Sequence, residues 1–134
     1  MKKDIVLPKV TGVHVAVVKE KNKDGESVWN VYLINKSKQT LCTVLVSSTG
    51  YKIDDTGTKQ SSSTLRHLLN EVPAESFKKI EPIIEAVFHL NNEYFVTYFS
   101  DKGMHEKAFI FVPDSILEQN FIDIPFINKK GVMI

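Results

Sequence analysis

The chain has 134 residues, 43% of them hydrophobic, the size and composition of one domain with a core of its own. Lys and Arg total 17 against 16 Asp and Glu, a formal net charge of +1, so no bulk field draws the protein to nucleic acid or to an anionic membrane. Cys42 is the only cysteine, which excludes an internal disulfide and fits a reducing compartment.

Residues 1–8 read as an N-terminal extension: Lys2 and Lys3 resemble the start of a secretion signal, but Ile5-Val6-Leu7 stops at Pro8-Lys9, too short for its apolar region. No apolar run is long enough for a membrane-spanning helix, and the expectation is a cytoplasmic protein with no membrane partner. Val13, Val15 and Val17 then share one face of a first strand, because strand side chains alternate with period two. Asp24-Gly25 turns it into Val28–Asn35, whose Trp29, Val31 and Leu33 form the stripe expected in the core. Leu41–Ser47 reads as a third strand, with Cys42 beside Val44 and Val46 as a buried thiol, and Tyr51–Ser62 as a polar loop.

Leu65, Leu68 and Leu69 have helical spacing, so a short helix over 64–70 competes with a strand over Ser63–Asn70. Pro82 excludes one long helix through this region. We read Ser63–Asn70 as a strand whose partner is Phe77–Ile83, across the turn at Val72–Ser76. Tyr94–Phe99 and Lys107–Val112 flank the Asp101-Lys102-Gly103 turn, and apolar residues on both of their faces predict two central strands. Ser115 and Glu118 have the spacing of a capping box, predicting one short helical turn near 114–120. Residues 121–134 are too apolar to stay in water and are expected to dock as a C-terminal hairpin, turned at Asn128–Gly131 with Gly131 in the left-handed region. Short strands with turn signals every ten or so residues specify an all-β fold, an antiparallel two-sheet β-sandwich of immunoglobulin-like type, in a single domain spanning 1–134.

Chemistry is sparse in this pattern. His14, His67, His89 and His105 are scattered, without the paired spacing of a metal site, and the glycines sit singly at turns, not in a phosphate loop. No cofactor is expected. Arg66 is the only arginine, which argues against a nucleotide-handling or base-reading site. It is expected to hold a carboxylate or loop carbonyls near the Pro73 turn, and Arg66 with His67, Lys19 and Lys21 are the candidate interaction residues. These features fit a non-catalytic module that binds another protein through a sheet edge or the loops at one end, as a monomer in preference to a homodimer.

Pro8-Lys9-Val10, Val28–Asn35, Ser63–His67, Lys79–Ile83, Leu90–Tyr94 and Phe121–Gly131 resemble a family of short uncharacterised bacterial proteins of about this length. Some members carry the label phenylalanyl-tRNA synthetase subunit. One arginine in 134 residues does not supply a synthetase core, and the family offers no catalytic residue to carry over. The resemblance implies, as an alternative, an accessory RNA- or synthetase-associated module using the lysines at the ends of the first hairpin. A small hydrolase gathering Arg66, His67 and a carboxylate is the third reading.

Overall fold

Period-two alternation produces ten antiparallel strands in the computed structural model, which describes residues 7–134, so all but the end of the expected extension 1–8 lies outside the described residues. One sheet runs β6 (Ser76–Ile83), β2 (Ser27–Asn35), β1 (Val13–Lys21), β10 (Lys129–Met133), β9 (Ile122–Ile124). The other is built on β3 (Leu41–Ile53), which pairs on one side with β7 (Asn91–Ser100), followed by β8 (Gly103–Phe111). β3 is long enough that its other side serves both β5 (Leu65–Val72) and β4 (Lys59–Ser61).

The main core lies between the sheets and takes Val13, Val15, Val17, Trp29, Val31 and Leu33 from one and Val44, Val46, Tyr94, Val96 and Phe109 from the other. Trp29 is therefore on the inward face, its ring edge-on to Phe88 at 5.1 Å and Phe121 at 5.8 Å, with its indole N–H donating to Glu85 Oε1 at 3.0 Å. A second cluster forms on the outer face of the first sheet. There Ile124, Ile127 and Met133 of the C-terminal hairpin cover Ala16, Val18, Tyr32 and Ile34. β10 pairs with β1 through Ala16↔Met133, Val17↔Val132 and Val18↔Gly131, which makes β1 and β2 the strands buried on both faces.

Several expectations are corrected. Tyr51–Ser62 is no loop: Tyr51–Ile53 and Lys59–Ser61 close a hairpin, turned at Asp54, whose carboxylate accepts from the backbone N–H groups of Thr56 and Thr58. The segment over 63–70 is strand rather than helix, but it starts at Leu65, not Ser63, and β5 and β6 are not partners. They lie in different sheets, β5 on β3 and β6 on β2, because Asn35 ties down the turn between them by donating to the carbonyls of Val72 and Pro73. β8 is an edge strand, not a central one. The helical turn is a 3₁₀ turn at Glu118–Asn120 without the capping box: the Ser115 hydroxyl donates backwards to the Val112 carbonyl. A second 3₁₀ turn at Glu85–Val87 carries no cap either. Gly25 (φ 78°) and Gly103 (φ 106°) adopt the left-handed backbone their hairpins require. Gly131 does not; Phe126 and Asn128 take positive φ in the tail turn.

Two acid-sensitive groups flank the C-terminal hairpin. Burial would raise the Glu20 carboxyl, but hydrogen bonds from Tyr32 (2.6 Å) and Asn30 (2.5 Å), with the Lys129 charge, outweigh it and hold the group below 4.5. Burial pushes the His14 imidazole below 6.5, helped by Lys36 and Lys107 and opposed by the hydrogen bond to Ile134. Both groups bind a proton less readily in the folded than in the unfolded chain, so the stability they contribute is complete above those ordinary values and is lost as pH falls. Urea midpoints should therefore decline in acid, beginning below about pH 6.5. In His14→Gln the decline should begin only at more acid pH. A midpoint that rises between pH 7 and 5 would contradict this assignment.

Candidate functional site

A bulge positions the most chemically loaded cluster. Val31 of β2 pairs with Glu81 and Tyr32 with Lys79, leaving Ile80 as the extra residue of β6. That insertion places Ile80 in the core and turns Glu81 inward with it. There the Glu81 carboxylate gathers three donors from the other sheet: Ser48 Oγ of β3 and His67 Nε2 of β5, both at 2.7 Å from Oε1, and Tyr94 OH of β7 at 3.1 Å from Oε2. Burial and the neighbouring carboxylate push the Tyr94 phenol far up, so it remains a donor. Glu81 thus fastens the two sheets together, with hydrogen-bond partners on both of its oxygens, as a polar group at such a depth requires.

Over this network opens a cleft of ≈ 260 Å³ between β3, β6 and the Glu85–Val87 turn, walled by Leu65, Ile83, Ile84, Val87 and Leu90. The Ser48, His67 and Glu81 side chains have the composition of a hydrolytic triad but not its arrangement. A nucleophilic serine donates to imidazole, whereas Ser48 and His67 converge on the same carboxylate oxygen.

The expected site residues do not assemble. His67 faces inward to Glu81. Arg66, its neighbour in the strand, faces the opposite way by alternation and is exposed; it makes no ion pair among the described residues. The carbonyls near Pro73 that Arg66 was expected to hold are held by Asn35. Lys19 pairs with Glu118 at 3.0 Å and lies over the Trp29 ring, and Lys21 donates to Ser27 Oγ at 2.9 Å. Lys36 and Lys38 stand at the other end of the β1–β2 hairpin, so these lysines form no common patch. Among the described residues no cluster of His, Cys, Asp and Glu could hold a metal ion, and no helix is long and apolar enough to cross a membrane.

Alternation alone did not point to the surface Arg66 borders, the outer face of the second sheet. In register across it run Arg66–Ser47–Phe95–Ala108, Leu68–Leu45–Thr97–Glu106 and Cys42–Phe99–Met104. Leu45 (45%), Leu68 (58%), Phe99 (45%) and Met104 (37%) are all exposed there, with Phe95 and Cys42 half-buried between them. Cys42 is therefore not the core thiol the sequence suggested. Thr43 at φ 49° bulges β3 between Cys42 and Val44, so Cys42 pairs with outward Phe99 while Val44 turns inward. The available signal was apolar residues at both parities of Leu41–Val46 and Phe95–Phe99.

No protein-family model matches the chain, and no curated protein matches it significantly.

Proposed function

We propose that this protein is a non-catalytic, immunoglobulin-like β-sandwich of the cytoplasm that binds another protein through the outer face of the β5–β3–β7–β8 sheet. The observation that supports this reading most is the contiguous set Leu45, Leu68, Phe99 and Met104, left in water although the first sheet has its own outer face covered by the C-terminal hairpin. Arg66 at the margin of the set adds the residue type that, with aromatics and methionine, is enriched in interface centres. The partner surface is accordingly apolar with a carboxylate to meet Arg66. A sheet edge is a poorer route. β8 carries Glu106 and Lys107 at its middle, so self-pairing centred on either would oppose like charges, and Pro82 lies in edge strand β6.

The test is capture from native extract with the wild type, with Leu45→Ser/Phe99→Ser, with Arg66→Glu, and with Lys23→Ser on the distant hairpin as control. A protein retained by the wild type and the control should be weakened by about thirtyfold in the face variants, the loss of a central anchor. Equal retention by the face variants would overturn the proposal. Sedimentation should show a monomer; a dimer abolished by Leu45→Ser/Phe99→Ser would make a second copy the occupant and displace the reading of a different partner.

A further inference from the structure

Three segments far apart in sequence bring lysines to one cleft of ≈ 280 Å³ at the end of the sandwich away from the Gly25 hairpin: Lys9 before β1, Lys38 between β2 and β3, and Lys102 in the β7–β8 turn. Its floor is fixed. His105, 5% exposed, stacks on Tyr98 at 4.6 Å, and its ring nitrogens meet Ser100 Oγ at 2.6 Å and the Lys9 carbonyl at 3.1 Å, which clamps the Lys9 segment against the hairpin. Among the described residues, no Asp or Glu lines the cleft and none of the three ammonium groups has an ion pair. Thr11 and Gln39 add a hydroxyl and an amide at its wall. Three lysines around one cleft, in a chain whose net charge is only +1, concentrate positive charge that the sequence as a whole does not carry, with Asp101 beside Lys102 as the acid adjacent in sequence.

We propose that this cleft binds a phosphate-bearing anion. Three ammonium groups act as point charges without the fixed fork of arginine, so they favour a compact, multiply charged group over a planar carboxylate. The cleft lies just beyond the Cys42–Phe99–Met104 end of the apolar sheet face, on different residues, and its proposal does not rest on the protein-binding reading.

An amide NMR titration of the full chain with inorganic pyrophosphate tests it, with Lys38→Ala/Lys102→Ala as the comparison. Both lysines are exposed, and thermal melting checks that the variant folds. Saturable shifts confined to residues 9–11, 37–39 and 100–105 are expected, with affinity reduced about tenfold or more in the variant. A short single-stranded RNA distinguishes the source of the phosphate. If RNA displaces pyrophosphate from the same amides at lower concentration, the phosphates are those of a nucleic-acid chain; if it does not, they belong to a small phosphorylated molecule. Shifts that never saturate, or that scatter over the surface and persist in the variant, would overturn the proposal.

Discussion

Trp29→Ala should lower the unfolding free energy by about 3 to 5 kcal/mol, the range for truncating a large aromatic in a core. The indole is 8% exposed, sits edge-on between Phe88 and Phe121, and donates its N–H to Glu85 of the Glu85–Val87 turn. Its removal leaves a cavity that Phe121, at the root of the C-terminal hairpin, cannot fill without pulling on β9. Urea denaturation checks the loss, and the native tryptophan emission should be that of a buried indole. A variant of unchanged stability would mean that Trp29 does not hold the sheets together.

A comparably large effect is expected from one methyl group at Gly131. A Cβ built there would stand 2.2 Å from the Val17 carbonyl oxygen and 3.0 Å from Val18 Cα, both backbone atoms of the paired strand that cannot rotate away. Gly131→Ala must therefore push β10 off β1, breaking the ladder that runs from Ala16↔Met133 to Val18↔Gly131 and uncovering the second cluster beneath it. A loss of about 3 kcal/mol or more is expected, at the upper end of overpacking costs. Gly103→Ala has open space around the new methyl and should cost only the strain of its positive φ, about 1 kcal/mol. If the two variants melt alike, close approach is not the reason for glycine at 131.

What the sequence conveyed was parity. Val13, Val15 and Val17 against Trp29, Val31 and Leu33 placed the core correctly, because nine consecutive residue pairs of β1 and β2 keep an unbroken register. Parity failed wherever the backbone inserts a residue. The Thr43 bulge moved Cys42 to the surface, and the extra residue at Ile80 carried Glu81 inward, and neither insertion has a signature in residue type. Pairing partners were illegible for a related reason: β5 and β6 follow one another through a short turn as a hairpin would, but Asn35, from a distant strand end, supplies the donors that let them part into separate sheets. Apolar residues on both faces of a strand also have two meanings, central burial or an uncovered face. β1 and β2 have the first and β7 the second, and only the position of the C-terminal hairpin separates them. The lysine cleft was invisible because its charges come from three separate segments that meet only in the fold.

Cys42 gives the most direct test of the protein-binding face. It is the single cysteine, it is half-buried, and it lies in register with Phe99 and Met104 in one row of the exposed apolar surface. The measurement is its alkylation rate in the purified chain and in the complex recovered from native extract. If the partner seats on this face, alkylation in the complex should slow by about tenfold or more, since a covered thiol is out of reach of reagent. A complex in which Cys42 reacts as fast as in the free chain would contradict the account, because the partner would then sit elsewhere on the molecule.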